Sequence, residues 1–590
     1  MKHDLQQPDF ERYITALRGE EPDRVPLGDW NVSDVLKSQY LGKPVTTWQN
    51  RLEFARQVGY DFLPASSGIF EFLRSVKAML ADEAGQPEGS ARTWFNEHGG
   101  IITTWEQFEQ FPWPSVDDLD LSVWETFDAI IPENMKALLI LGKIYTPVWM
   151  LMGAEGFFDA LETNQELVAA IFDKIGQIQY ETLLRVIEHP CVGAVTNPDD
   201  IAHNSGLLIH PKHLRKYLFP WYKKIASVCR DKGLGCIYHS DGDCTEVLPD
   251  IVACGFHGFN PIQPNCMDIV DVKQQWGDSL CLIGNINLDS TLTLGTPDDV
   301  RAEVYERIRT IGPGGGYMVS SSNSVPEYVP FENMQAMFDA TLEFGRYPID
   351  LEPGRLQGKV WTFQGKPKGE HHEITSSLDL DQYVSALLSN DTAQLRQLVQ
   401  RDLDTGMGLQ DVINQGMVAG MTQIGDQFQT GEIFIPEMMI AAKTMSDVLA
   451  DLKQDLAGES YASLGTVLIG TVKGDMHDIG KNLVLMTLEG HGFTVEDLGV
   501  SVNPEQIVEA VKQTQPQIIA LSALLTTTMV EMQKTIDALQ EAGLRDTVKI
   551  IVGGAPLTQS FADQIGADGY AYDAPGAAQK CKELLALTEK

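Results

Sequence analysis

From about residue 20 to residue 348 the chain alternates short apolar runs with longer stretches of helical periodicity, and no other feature constrains its fold so strongly. This is the pattern of parallel strands joined by crossover helices. The strand-like runs are Val25–Gly28, Asp61–Pro64, Leu138–Leu141, Val192–Val195, Cys236–His239, Gly258–Asn260, Leu280–Ile283 and Tyr317–Ser320. Helical patterns such as His213–Arg230 and Val300–Ile311 separate them. Number and length together predict a (β/α)8 TIM barrel over residues 1–351. Polar residues follow the strand ends, where such a barrel carries its chemistry: Asp29 and Trp30, Asn197–Asp200, His239–Asp243, Asn260–Gln263, Gly284–Asp289 and Ser321–Asn323.

A chain of 590 residues is too long for one core, and two further patterns follow the barrel. Residues 352–376 are rich in Pro, Gly, Lys and His and read as a linker. Ile413, Met417, Met421, Ile424 and Phe428 then place one apolar stripe on a helix, and Pro436 opens another, predicting a small helical bundle over 377–458. The methionines there, including Met438, Met439 and Met445, read as bundle core. From 459 to 590 the pattern becomes a doubly wound, Rossmann-like α/β domain, with strands at Thr466–Gly470, Thr494–Asp497, Ile518–Ser522 and Lys549–Val552 and helices at Ile479–Glu489, Glu505–Lys512 and Thr527–Ala542.

Charge and cysteine usage exclude several classes of partner. The formal charge of -38, from 82 acidic and 44 basic side chains, repels nucleic acid and anionic membranes. The amino terminus has no basic region leading into an apolar run, and no apolar run approaches a membrane span, so a soluble cytoplasmic protein is expected. Eight cysteines without a CxxC pair indicate neither a disulfide framework nor a zinc ribbon.

The segment that decides the cofactor is Gly474-Asp475-Met476-His477-Asp478-Ile479-Gly480, at the carboxyl edge of the first strand of the last domain, followed by Ser522-x-Leu524 and by Gly553-Gly554. In residue type and interval it resembles the cobalamin-binding signature of methionine synthase and of small corrinoid proteins. The resemblance implies that His477 is the lower axial ligand of cobalt, with Asp475 and Ser522 orienting it. Imidazole suits cobalt and is best held through its other ring nitrogen. Glycines 480, 553 and 554 would let the backbone pass close to the displaced nucleotide tail. The run Gly425-Asp426-x-Phe428-x-x-Gly431-Glu432-Ile433-Phe434-Ile435-Pro436-Glu437 resembles the helical cap that precedes such domains and shields the upper corrin face.

The barrel resembles the uroporphyrinogen decarboxylase superfamily, in Asp199-Asp200-Ile201-Ala202-His203-Asn204-Ser205-Gly206, His239-Ser240-Asp241-Gly242 and Gly284-Asn285-Ile286. That superfamily contains decarboxylases and methyltransferases. The arginine-rich substrate motif of the decarboxylases is missing around Arg24–Trp30, which disfavours decarboxylation. Thiol-acting methyltransferases of the superfamily hold zinc with His-x-Cys and a later Cys. Here the pair is His239-x-Asp241 and the later strand end reads Ser320-Ser-Ser-Asn323, without cysteine. His239 and Asp241 could still hold zinc or another divalent ion, with Glu327 as one choice of further ligand, or act as a hydrogen-bonded acid/base pair. Should neither hold, the site falls among Asp199, His203, Asn260 and Asn323.

The fusion resembles the chloromethane methyltransferase family. It implies a methyltransferase that moves a methyl group from a small donor, of methyl halide, methyl ether or methylamine type, to cob(I)alamin. A second methyltransferase would pass the group to a folate or thiol, and a reductive activating protein would rescue oxidised cobalt. The reverse flow, from methylcobalamin to a thiol or folate, is the alternative. A cobalamin-sensing or storage protein would leave the barrel unused. A homo-oligomer is compatible with all of these.

Overall fold

The computed structural model describes residues 7–67, 100–204, 206–363, 377–455, 463–475, 479–524, 526–554 and 557–585. They form two compact units, one containing the described residues up to 363 and the other those from 377 onward. No helix among the described residues is long and apolar enough to cross a membrane. All eight cysteines are buried and unpaired by disulfides.

The first unit is a parallel barrel. Its strands β1 (Phe62–Ser66), β2 (Lys136–Ile140), β3 (Val192–Pro198), β4 (Gly235–His239), β5 (Gly258–Asn260), β6 (Cys281–Ile286) and β7 (Tyr317–Ser321) lie in sequence order in one sheet. Helices cover the outer face, so both faces are dry, and β3, β4 and β6 are buried along their whole length. The eighth place belongs to Val25–Gly28, which does not form a full strand. Gly28 N donates to Val319 O and Val319 N to Pro26 O, and the ladder goes no further there because Pro26 has no N–H to give. The helix expected over His213–Arg230 spans Pro211–Asp231 but opens into a wider π-type turn at Leu214–Leu218. Pro220 explains the widening, since its ring would collide with a carbonyl of a regular preceding turn.

Residues 352–363 of the expected linker are held on the barrel. Arg307 Nη2 donates to Trp361 O (2.8 Å), Trp361 Nε1 to Pro264 O (3.3 Å) and Tyr305 OH to Glu352 O (2.8 Å). Residues 364–376 lie outside the described residues.

The second unit begins with helices Leu380–Leu388, Thr392–Asp404, Leu409–Thr430 and Ile435–Asp455. The stripe Ile413, Met417, Met421, Ile424 and Phe428 is buried, and Met445 joins the same core. A five-stranded parallel sheet follows: β8 (Thr466–Thr471), β9 (Thr494–Asp497), β10 (Ile518–Ser522), β11 (Lys549–Gly553) and β12 (Gly569–Ala571), in the order β9-β8-β10-β11-β12. Beyond the sequence expectation are β12 and the helices Gln559–Ile565 and Ala574–Leu584. They are short or rich in alanine and glycine, so their apolar period is weak. The bundle rests on this domain: Met421 lies against Gly490, Gly425 against Pro575, and Gln429 Nε2 reaches Asp573 Oδ1 at 3.5 Å.

Candidate functional site

The sheet of the second unit reverses direction between β8 and β10, and ligands of such sheets bind outside the carboxyl ends at that reversal. Asp475 sits there, fully buried. Its Oδ2 accepts from Leu524 N (2.8 Å) and Thr528 Oγ1 (2.6 Å), and Ser501 N donates to its carbonyl (2.9 Å). The turn therefore ties β8 to the start of the helix after β10. Thr528 has a place in this network that sequence reasoning missed, because no motif spacing points to it. Ser522 is half-buried at the end of β10, its carbonyl accepting from Val472 N (3.0 Å). His477 and Asp478 lie outside the described residues.

The glycines of this edge differ in what they do. Gly554 has φ +134°, and a Cβ there would lie 1.9 Å from Ala523 O, so only glycine fits. A Cβ at Gly553 would stand 3.0 Å from Ala571 O. At Gly480 a Cβ would meet nothing within 4 Å, so the space beside this backbone is open. Leu524, after β10 on the same edge, is an apolar side chain left 44% exposed.

At the carboxyl end of the barrel the structure joins residues from five separate strand ends. Asp200, His239 and Asp241 bring one ligand atom each within 4.8 Å of one another. His239 Nδ1 lies 2.6 Å from Asn260 Oδ1, and Asn260 Nδ2 donates to Ile283 O (3.0 Å). That second bond turns the amide oxygen toward the imidazole, so Nδ1 carries the proton and Nε2 presents its lone pair. Nε2 stands 3.9 Å from Asp200 Oδ1 and 3.8 Å from Asp241 Oδ1, beyond hydrogen bonding to either.

Each carboxylate is clamped through its other oxygen. Lys143 Nζ holds Asp200 Oδ2 (2.5 Å), and Asn323 Nδ2 holds Asp241 Oδ2 (2.8 Å). Lys143 is itself seated by Gln179, whose Oε1 accepts from Gly142 N (3.0 Å) and whose Nε2 donates to Lys143 O (3.2 Å). Asn323 is fixed by Ser324, whose N–H donates to Asn323 Oδ1 (2.6 Å). Asp241 Oδ1 is buried without a hydrogen-bond partner among the described residues. Trp30 packs edge-on against His239, ring centroids 5.3 Å apart.

These neighbours drive the two acids apart. Burial alone would raise Asp200, but Lys143 and His239 overcome it and hold the carboxyl down at about 2. Burial and the charge of Asp200 push Asp241 up to about 6. Burial works against the Lys143 ammonium, yet Asp200 and Asp199 raise it above its ordinary value. One carboxylate stays charged at neutral pH, and the second is readily protonated unless a cation faces it.

Among the sequence candidates, His239 and Asp241 come together, with Asn260 and Asn323 as their hydrogen-bond partners. Asp199 serves a different purpose: its carboxylate accepts from Ile144 N, Tyr145 N, Thr146 N and Tyr222 OH and caps the helix Tyr145–Met152. His203 lies on a short hairpin with Gly206 and Leu207, and Glu327 is exposed outside the cluster. Cys236 is strand core and Cys244 is buried. Asp200 and Lys143 were missed. The adjacent acids 199 and 200 marked that strand end, but nothing in the sequence says which of them faces His239.

Both units are similar to known proteins. A family model described as uroporphyrinogen decarboxylase (URO-D) matches residues 125–344. Two models described as B12 binding domain match 379–453 and 465–579. The dimethylamine corrinoid protein of Methanosarcina barkeri is 45% identical over 177 residues, 30% of this chain and 83% of that protein. Trimethylamine corrinoid protein 1 of Methanosarcina acetivorans is 41% identical over 202 residues, 34% of this chain and 94% of that protein. Among solved structures, the methanol:cobalamin methyltransferase complex of Methanosarcina barkeri aligns with 28% identity over 37% of this chain and 84% of that one, at a TM-score of 0.33.

Proposed function

This chain belongs to the corrinoid proteins, and from that premise we propose that it is a corrinoid-dependent methyltransferase whose barrel activates a small methyl donor at the Asp200–His239–Asp241 cluster. The URO-D-type barrel and the B12-binding module in one chain support this reading. The residues at the switch point of the second sheet fit a corrinoid: open space beside Gly480, an exposed Leu524 and a buried Asp475 held through Oδ2. By the family resemblance His477 is the lower ligand of its cobalt.

The observation that carries the barrel half is the unbonded gap between His239 Nε2 and two carboxylate oxygens, 3.8 and 3.9 Å away, with Asp241 Oδ1 buried and unpartnered. A proton on the imidazole or a metal cation would relieve the contact of that lone pair with the carboxylate oxygens, and the buried, unpartnered Asp241 Oδ1 favours the cation. One nitrogen and two oxygens suit zinc or another divalent ion and do not favour a thiophilic site. His239 Nε2, Asp200 Oδ1 and Asp241 Oδ1 would hold that ion. The same distances disfavour the metal-free reading, since His239 and Asp241 are too far apart to pass a proton directly.

When bound, the corrinoid supplies the nucleophile that takes the methyl group, and the cation supplies Lewis-acid polarisation of the group left behind. The chain's own part is positioning. Lys143 and Asn323 leave Asp241 Oδ1 without a partner and Asp200 Oδ1 with only the N–H of Asp241 (3.2 Å), Asn260 fixes the tautomer of His239, and Trp30 packs against it. Methyl halides, ethers and methylamines are the donor types; a second methyltransferase delivering to a folate or thiol and a reductive activating protein complete the cycle. The test is to incubate reduced, corrinoid-loaded protein with each donor while following the corrin absorption and measuring metal content. Turnover with zinc near one equivalent supports the reading; full activity in metal-free protein overturns the role of the cluster.

A further inference from the structure

The family's cysteine-bearing strand end is replaced here by Ser320-Ser-Ser-Asn323, and the structure shows what governs this turn. The segments before and after it run beside the amino-terminal stretch of the barrel: Gly28 N donates to Val319 O, while Val325 N donates to Asn31 O and Ser33 N to Val325 O. Ser320 and Ser321 stay paired with β6, but on the amino-terminal side the ladder is interrupted from Ser320 to Ser324, and the Asn323 side chain reaches Asp241. The side chain of Asp29 fills the gap. Its Oδ1 accepts from Ser321 N (2.8 Å), Ser321 Oγ (2.8 Å) and Ser320 Oγ (3.1 Å). The Ser321 hydroxyl also reaches the carbonyl of Asn323, whose amide nitrogen holds Asp241 Oδ2. An unbroken chain of contacts thus runs from Asp29 through Ser321 and Asn323 to Asp241.

A buried acid at this position is otherwise unexplained. Asp29 is 5% exposed and faces no Lys or Arg among its hydrogen-bond partners, so its burial costs free energy that no ion pair offsets. Its bonds converge on the turn whose Asn323 holds Asp241. The next residue, Trp30, is the ring packed on His239. One side chain therefore anchors both the turn that orients Asp241 and the backbone that places Trp30.

We propose that Asp29 is a positioning residue for the cation site, acting through Ser321 and Asn323 on the Asp241 carboxylate. The proposal rests on the metal reading of the cluster. Groups that orient a ligand from outside the ligand shell typically change metal affinity ten- to a hundredfold.

The test measures zinc(II) affinity by chelator competition in the full-length, corrinoid-loaded protein, with corrinoid content and melting temperature as controls. Asp29→Ala should weaken zinc binding by about tenfold or more, while corrinoid content stays at the wild-type value. Asp29→Asn retains an acceptor oxygen toward Ser320 and Ser321 and should restore affinity to within about threefold of wild type, an outcome that a purely structural role for the carboxylate would not single out. Should Asp29→Ala fail to fold, Ser321→Ala cuts the same chain of contacts and should weaken zinc severalfold. Wild-type affinity in these variants, alongside weakened binding in Asp241→Ala, overturns the role of Asp29 and leaves the metal reading intact. Unchanged affinity in Asp241→Ala removes the metal reading and the Asp29 proposal with it.

Discussion

The two sites of this chain were built in opposite ways. At the sheet edge of the second unit the candidate residues are mostly neighbours in sequence, from Gly474 to Gly480, and Asp475 follows closely on β8. At the barrel mouth Lys143, Asp200, His239–Asp241 and Asn323 come from four strand ends, and only closure of the barrel unites them. A site carried on one loop announces its cofactor through spacing. A site assembled across a barrel shows its chemistry only when side-chain directions are known.

The sharpest way to break the contrast is to disable each site separately. His239→Ala should cut methyl transfer by about a hundredfold or more, the usual effect of losing a metal ligand or a positioned acid, while corrinoid content stays unchanged. His477→Ala should do the reverse, weakening corrinoid binding or altering the Co(III) absorption spectrum while zinc content holds. Loss of both cofactors in either variant would show that the sites are not independent.

Next in size is the backbone of the loop-borne site. Gly554→Ala forces a Cβ to 1.9 Å from Ala523 O at a φ that L-residues avoid, and should destabilise the second unit by about 2–3 kcal/mol or more. Chemical denaturation followed by corrin release reads this directly; an unchanged midpoint would contradict the close approach.

The barrel site should in turn show a pH signature. Without a cation, the Asp241 carboxyl sits at about 6, above its ordinary range, so its folded-state stabilisation is present in acid and is lost as pH rises through about 6. A cation must displace that proton below this value. Zinc affinity should therefore fall about tenfold for each pH unit below 6 and be flat between 7 and 8, by calorimetry in buffers of different ionisation heat. Asp200, held at about 2, contributes no such slope in this window. A slope that persists above pH 7 would assign the proton to another group.

The smallest effect belongs to Thr528. Thr528→Val removes the 2.6 Å bond to Asp475 Oδ2 but leaves that from Leu524 N, so a stability loss of about 1–2 kcal/mol is expected in thermal melts. A larger loss would mean that the hydroxyl, rather than the amide, anchors the turn.

Much of this was legible without coordinates. The strand runs from Asp61 to Ser320 and the bundle stripe on Ile413, Met417 and Met421 fell where apolar periodicity placed them, since burial is what the period records. Pro26 hid the incompleteness of the eighth strand, because a run of apolar residues does not show which N–H groups are missing. At the barrel mouth the motif identified His239 and Asp241 but offered Glu327 as a further ligand. The structure brings Asp200 instead, while Asp199 is consumed by a helix terminus. Two adjacent acids on a strand end point opposite ways, and period alone does not say which one faces inward.

One chain carries both compact units, and this bears on the order of the kinetics. A donor site and a methyl carrier on separate proteins meet by diffusion, at a rate that falls with dilution. On one chain they meet at an effective concentration set by the link between them, whatever the amount of protein present. Turnover per molecule in the donor half-reaction should then be independent of enzyme concentration, and an excess of free corrinoid carrier would compete poorly for the barrel.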